Sequence, residues 1–184
     1  RQKAEKKVPK IPDLNELSEG VVKWFANRGI SEATLDMAGV ETGEAFIGGE
    51  TKKAIAFVHR DKDGKTINVK FRTQDKKFSQ IKDGHRLPYL WNMVDTDQPH
   101  LIITEGEVDA LACLEAGLSN VISVPDGASD KKLSWIDELN GDLNGFKRIV
   151  LLTDGDSVGI AMRNELARRL GTVSYTHLTL PTKR

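Results

Sequence analysis

The sequence predicts an α/β fold: a parallel sheet with flanking helices, preceded by a small helical and basic β-hairpin subdomain. From position 99 onward, short apolar runs alternate with amphipathic stretches, as in successive strand-helix units. Residues 54–80 instead alternate with a period of two, as in a hairpin. The 184 residues, 39% hydrophobic and 29% charged, suit one globular domain with a small satellite.

The N-terminal region predicts a linker followed by two short helices. Residues 1–13 are rich in Lys and contain two prolines, which is typical of a flexible linker. Within residues 14–40, apolar side chains recur at helical spacing. Gly29 is expected to end the first helix, and Ser31 is expected to cap the second.

The basic hairpin is predicted from a change of period. Residues 54–59 form an apolar run, and the sequence Asp-Lys-Asp-Gly at 61–64 is a strong turn signal. Residues 67–72 then alternate apolar and polar side chains, which predicts a half-buried strand. Lys70 and Arg72 are expected to share its polar face.

The segment 99–171 is interpreted as the α/β domain, following an N-terminal subdomain at 14–98. Its predicted strands cover 101–104, 121–124 and 148–153, and its predicted helices cover 108–118, 131–139 and 157–170. In the helix at 108–118, Val108, Leu111, Ala112 and Leu118 are expected to face inward. The third strand is almost continuously apolar, as in a sheet covered on both faces.

The tail, residues 172–184, does not continue this rhythm and contains no acidic residue. It is compatible with a last edge strand at 173–175. We favour the interpretation that it is a non-native or truncated end, and no function is drawn from it.

Cysteine content and hydropathy limit the classes of protein. Cys113 is the single cysteine, so an internal disulfide and a cysteine-rich zinc site are excluded, and we expect a packed core thiol. No apolar run approaches the ~20 residues that span a membrane. The N-terminus shows no signal-peptide pattern. We therefore expect a protein of the reducing cytoplasm that does not bind a membrane.

The net charge of zero conceals an asymmetry along the chain. Residues 51–86 contain eleven Lys and Arg against four Asp and Glu, whereas residues 95–157 contain four against thirteen. The first segment is suited to attract phosphates and the second to attract cations. Composition alone supports equally well the alternative that the two segments are solvated surfaces of opposite sign that partly neutralise each other.

Two acidic clusters follow predicted strands directly. The first contains Glu105, Glu107 and Asp109, and the second contains Asp154 and Asp156. Ligands collect at the carboxyl ends of strands in open α/β sheets, and neighbouring carboxylates remain ionised when a hard cation such as Mg²⁺ compensates them. The alternative is that these residues are first-turn and N-cap residues of the following helices.

These motifs resemble the Toprim domain. A strand followed by Glu-Gly-Glu-Val-Asp-Ala-Leu, and a later strand followed by Asp-Gly-Asp-Ser-Val-Gly, match its glutamate and Asp-x-Asp motifs. The loop 123–129 and the basic region 55–92 are similar to those of phage-type and Twinkle-like primase-helicases. The resemblance covers residues 15–171 and implies a Toprim-like parallel sheet.

The resemblance assigns roles to the carboxylates. Glu105 would act in acid-base work or as a metal ligand, and Asp154 and Asp156 would hold Mg²⁺ or Mn²⁺. Asp109 is a further candidate ligand, and Glu107 is expected to be accessory. Some relatives have lost their catalytic carboxylates, whereas this chain keeps Glu105, Asp154 and Asp156.

The implied reaction is ribonucleotidyl transfer, which makes RNA primers on single-stranded DNA in a bacterial or phage-infected cell. Lys70, Arg72, Lys76 and Lys77 would contact the ribonucleoside triphosphate or the template backbone. Lys131 would contact phosphate or lie at a solvated helix start. The chain has no Gly-Lys-Ser/Thr phosphate loop and no zinc-ligand spacing. A fused helicase and a zinc-binding domain are therefore expected outside this chain.

Two other functions stay open. In one, the chain grips single-stranded DNA beside a helicase and its carboxylates are relics. In the other, it is a Toprim nuclease that uses water as the nucleophile. Trp24, Trp91 and Trp135 are candidates for base stacking, although core packing is favoured for each.

Overall fold

The computed structural model describes residues 8–129, 131–171 and 174–180. The chain divides into two compact units, Arg1–His85 and Arg86–Arg184. The segment 86–98, which the sequence analysis joins to the first subdomain, clusters with the second unit. Within the described residues, no helix combines the length and apolar character that crossing a membrane requires.

The first unit contains two short helices and an antiparallel sheet. The elements are β1 (Leu14–Asn15), α1 (Glu19–Ala26), α2 (Glu32–Met37), β2 (Val40–Ile47), β3 (Glu50–Arg60), β4 (Thr66–Arg72) and β5 (Phe78–Gln80). Both predicted helices are present, and the Ser31 hydroxyl accepts the Thr34 N–H at 3.4 Å as an N-cap. The predicted hairpin is the β3–β4 part of a five-stranded sheet with the strand order β1-β2-β3-β4-β5.

One face of this sheet carries an apolar core. Ala56, Val69 and Phe71 are buried there together with residues of β2. Gly43 lies in β2 at a close approach, because a Cβ at this position would stand 2.9 Å from Leu14 and 3.2 Å from Phe71. A larger residue at this position would therefore disturb the core.

The opposite face of β4 corrects the sequence analysis. Lys70 is 5% exposed and Arg72 is 9% exposed, and Asn68 is fully buried. The shared polar face is observed, but the prediction that the strand is only half-buried is wrong. Long cationic side chains can bury their stems and stack on aromatic rings, so alternation of charge does not by itself show exposure.

The second unit contains the predicted parallel sheet. The elements are β6 (His100–Thr104), α3 (Glu107–Glu115), β7 (Val121–Ser123), α4 (Ser134–Glu138), α5 (Asn140–Leu143), β8 (Arg148–Asp154), α6 (Ser157–Leu170) and β9 (Ser174–Leu180). The strand order is β7-β6-β8-β9, and every pair is parallel. α3 contacts β6 and β7, and α6 contacts β8.

Three details of this unit differ from the expectations. α3 buries Glu107, Ala110, Leu111 and Cys113, so the inward face is rotated from the predicted one and Leu118 is 47% exposed. The helix expected at 131–139 is the shorter α4, and a further short helix, α5, follows it. In the tail, a last strand is present over Ser174–Leu180, and the origin of the tail stays a prediction.

Candidate functional site

The two acidic motifs meet at one edge of the second unit's sheet. β6 and β8 are parallel neighbours, with Thr104 opposite Leu152 in the register. Glu105 therefore follows the end of β6 beside the end of β8, where Asp154 is the last residue. This is the carboxyl edge of the sheet, where ligands of α/β proteins bind.

A hydrogen bond joins the two motifs directly. The main-chain N–H of Asp154 donates to Oε2 of Glu105 at 3.1 Å. Gly159 in α6 lies against the same pair, since a Cβ there would collide with the Asp154 carbonyl oxygen and stand 2.9 Å from Glu105 Oε2. The glycine therefore lets the first turn of α6 approach the strand ends.

Asp156 caps α6. Its Oδ1 accepts the N–H groups of Val158 at 3.1 Å and of Gly159 at 2.8 Å. The N-cap interpretation of this residue is thus observed, and it ties one carboxylate oxygen to the helix. A structural role at Oδ1 is compatible with a ligand role for the same side chain, because a carboxylate has two oxygens.

The carboxyl groups of this edge repel one another. Burial is the main cause that raises the pKa of Glu105, and the charges of Asp154, Asp156 and Asp109 raise it further. Burial, followed by the charge of Asp154, raises the pKa of Asp109 to about 6. Glu105 therefore lies within electrostatic reach of Asp109, Asp154 and Asp156.

The donor set fits a hard cation that carries water. Within the described part of the chain, no group of three or more His, Cys, Asp or Glu side chains stands ready to hold a metal ion. Mg²⁺ commonly takes one or two carboxylates and completes its shell with water and substrate phosphates. Such an ion would relieve the repulsion that raises the pKa values of Glu105 and Asp109.

Glu107 and Cys113 are both buried on α3. The charge of Glu107 contributes to the raised pKa of Asp109, and its accessory role stays a prediction. Glu107 is 3% exposed in the first turn of α3, and Cys113 is a buried free thiol on the same helix. The expectation of a packed core cysteine is confirmed.

The predicted cationic residues fall into two groups. Lys70 and Arg72 are buried on the first unit's sheet, where the Arg72 guanidinium lies 4.7 Å from the Trp24 ring centroid and 6.0 Å from that of Phe78. Lys76 and Lys77 are exposed in the β4–β5 turn.

Two of the exposed lysines make contacts within their own units. Lys77 forms an ion pair with Asp75 at 3.3 Å. Lys131 is exposed in the second unit and precedes α4, with its N–H bonded to the Ser129 hydroxyl at 3.4 Å.

Sequence reasoning missed Gly159 and favoured core packing for Trp24. Gly159 lies inside the predicted third helix, and an isolated glycine in a helical pattern is the signal that could have marked a close approach. Trp24 was weighed as a core residue, and the structure shows it partly buried beside Arg72. Core packing is confirmed for Trp91 and Trp135, each 2% exposed.

Comparison with known proteins identifies the second unit's domain. Residues 100–179 match the family model described as Toprim domain. This part of the chain is therefore a Toprim domain, as the acidic motifs indicated.

The relatives narrow the resemblance to primase-helicases. The chain is 34% identical over 184 residues to the Twinkle homolog protein, chloroplastic/mitochondrial, of Arabidopsis thaliana, covering 93% of this chain and 25% of that protein. It is also 34% identical over 171 residues to the Primase homolog protein of the same plant, covering 86% and 49%. The chain thus spans half or less of these relatives.

A solved structure has the same fold over nearly the whole chain. The crystal structure of the primase fragment of the bacteriophage T7 primase-helicase protein matches with a TM-score of 0.71 and 26% identity, covering 97% of this chain and 75% of that one. The resemblance to phage-type and Twinkle-like primase-helicases is confirmed.

Proposed function

We propose that the chain is the core of a metal-dependent DNA primase, which joins ribonucleotides into an RNA primer on single-stranded DNA. The observation that carries the proposal is the joined pair of acidic motifs, Glu105 with Asp154 and Asp156, at the carboxyl edge of a Toprim sheet. The names of the relatives support a role in primer synthesis.

Each carboxylate has a role in this proposal. Mg²⁺ or Mn²⁺, bound when substrate is present, would lower the pKa of the attacking 3′-hydroxyl and stabilise the leaving pyrophosphate. Asp154 and Asp156 would hold the cation, with Asp109 as a further ligand. Glu105, whose pKa is raised, would exchange a proton nearer neutral pH than an ordinary carboxyl group does.

The partners follow from the same proposal. Ribonucleoside triphosphates and the template would meet the cations Lys70, Arg72, Lys76 and Lys77, and Lys131 would contact phosphate. A helicase and a zinc-binding domain would belong to the longer protein. The cytoplasmic location stays a prediction.

The test is template-dependent incorporation of labelled ribonucleotides on single-stranded DNA, with the wild type and Glu105→Gln compared. Glu105→Gln keeps an oxygen that can accept the Asp154 N–H, so the fold is expected to survive while incorporation falls by at least 100-fold. Equal incorporation by both proteins would contradict the proposal. Metal-dependent nicking of DNA without nucleotide would instead indicate a nuclease.

A further inference from the structure

The first unit contains a cavity of about 960 Å³ beside α1, and Arg72 is the residue of its lining that already has a role above. Its walls come from the β1–α1 segment, α1 and strands β2 to β4. The lining that matters here is Glu16, Trp24, Glu44, Lys53, Ile55 and Arg72.

The sheet register places the floor of this cavity on one face. Ile55 pairs with Thr42 on one side and with Arg72 on the other, and Arg72 pairs with Phe78. Directly paired residues of antiparallel strands have side chains on the same face. Ile55 and Arg72 therefore lie side by side in the floor, and Phe78, the next residue of the row, lies outside the cavity lining.

Trp24 forms the aromatic wall. Its ring centroid lies 4.7 Å from the Arg72 guanidinium and 3.6 Å from that of Arg28. Arg72 is buried and stays in place, whereas Arg28 is exposed at the end of a flexible side chain. Arg28 lies outside the cavity lining, and its guanidinium donates a hydrogen bond of 2.8 Å to the Trp24 carbonyl oxygen. A planar ligand in the cavity would therefore contact the Trp24 ring beside Arg72 and leave Arg28 in place.

The charges of the lining favour a base over a phosphate. Asp13, Glu16 and Glu44 line the cavity together with only two cations, Lys53 and Arg72. Carboxylates repel phosphate but accept hydrogen bonds from the amino groups of bases. Asn15 and Gln74, also in the lining, supply both donors and acceptors for a base edge.

We propose that this cavity binds one unpaired nucleobase of a single-stranded nucleic acid, stacked on Trp24. The inference rests on the proposed function only in one respect, the identification of this nucleic acid as the primase template. Base-aromatic stacking tolerates any base, because every base has a π-face. The site differs from the phosphate contacts assigned to the exposed lysines of the β4–β5 turn.

The test uses tryptophan fluorescence in EDTA, without metal or nucleotide, so that failure of primer synthesis cannot imitate failure of this proposal. Trp91 and Trp135 are each 2% exposed, so quenching by an added strand reports Trp24. A mixed-sequence single-stranded octamer is expected to quench the emission, and a fully abasic octamer of equal charge is not. Equal quenching by both octamers would overturn the proposal.

Variants give a second readout. Trp24→Leu is expected to weaken binding of a labelled octamer roughly tenfold. The dependence of the binding affinity on salt concentration should stay unchanged, because this dependence reports the number of phosphate contacts. Trp24→Phe, which keeps a ring, should restore most of the affinity. The matched control is Phe46→Leu, an aromatic residue 71% exposed in β2 and outside the cavity, which should bind as wild type. Equal affinity of Trp24→Leu and wild type would contradict the proposal.

Discussion

The main-chain N–H of Asp154 donates a hydrogen bond of 3.1 Å to Oε2 of Glu105, 49 positions earlier in the chain. This bond holds the ends of two parallel strands together and sets the spacing of the acidic motifs. The first turn of α6 completes the arrangement through Gly159 and the cap at Asp156.

Gly159→Ala is expected to disrupt this edge. The added Cβ would collide with the Asp154 carbonyl oxygen and press on Glu105 Oε2. Overpacking of this kind costs about 1–3 kcal/mol of unfolding free energy, which urea denaturation would measure. Gly141→Ala is the matched control, because Gly141 also lies in a helix and its Cβ would meet open space. Equal stability of the two variants would show that α6 does not approach the strand ends closely.

The raised pKa of Asp109 predicts that the free energy of unfolding depends on pH. This pKa of about 6 lies above the ordinary value of 3.8, so the folded state holds this proton more tightly than the unfolded state. The resulting stabilisation is full below pH 3.8 and is lost as the pH rises through about 6. Asp109→Asn should therefore be more stable than wild type at pH 8, by up to about 3 kcal/mol, with the difference shrinking toward pH 4. Denaturation in EDTA across this range checks it, and a difference independent of pH would refute it.

Asn120 is expected to be a structural anchor of β6. Its Oδ1 accepts the Asp95 N–H at 2.9 Å, and its Nδ2 donates to the carbonyl oxygens of Asp95 at 2.7 Å and His100 at 3.1 Å. Asn120→Ala should lower the unfolding free energy by about 3 kcal/mol, since each bond contributes about 1 kcal/mol.

Asn120→Gly separates the backbone contribution from these hydrogen bonds. Asn120 has φ of 53°, a conformation that glycine adopts freely. The glycine variant should therefore be the more stable of the two by about 1 kcal/mol. If Asn120→Ala unfolds at the same denaturant concentration as wild type, the anchor role is wrong.

A substitution of Lys76 tests whether the first unit contacts DNA phosphates. Lys76 is exposed in the β4–β5 turn with φ of 60°, which asparagine tolerates. Lys76→Asn should lower the magnitude of the logarithmic salt slope for single-stranded DNA binding by about 0.7, the value for one lost phosphate contact. Lys147→Asn, an exposed lysine of the second unit, is the control. An unchanged slope for Lys76→Asn would remove this residue from the interface.

The order of strands and helices in the second unit was predictable, because buried parallel strands read as apolar runs such as Ile149 to Leu152. The placement of Glu105 and Asp154 at one edge followed from that order. The hydrogen bond between them depends on register, which periodicity does not reveal.

Other features depended on tertiary packing and escaped the sequence patterns. β2 was not predicted, since Thr42, Gly43 and Glu44 interrupt its apolar alternation. Arg72 was expected on the polar face of a half-buried strand, but it is buried, and its guanidinium lies 4.7 Å from the ring centroid of Trp24 in α1. Contacts between residues so far apart in the chain leave no local signal.

The most direct test of the central claim is a titration of Mn²⁺, followed by water-proton relaxation, into wild type and an Asp154→Asn, Asp156→Asn double variant. Asparagine also caps helices well, so the variant should keep α6 while losing two charges. The matched control is Asp61→Asn, Asp63→Asn, which changes an Asp-x-Asp-Gly sequence of the same spacing in a hairpin turn. The account predicts that binding disappears only in the Asp154 and Asp156 variant. Equal binding by all three proteins would contradict a metal site at this edge of the Toprim sheet.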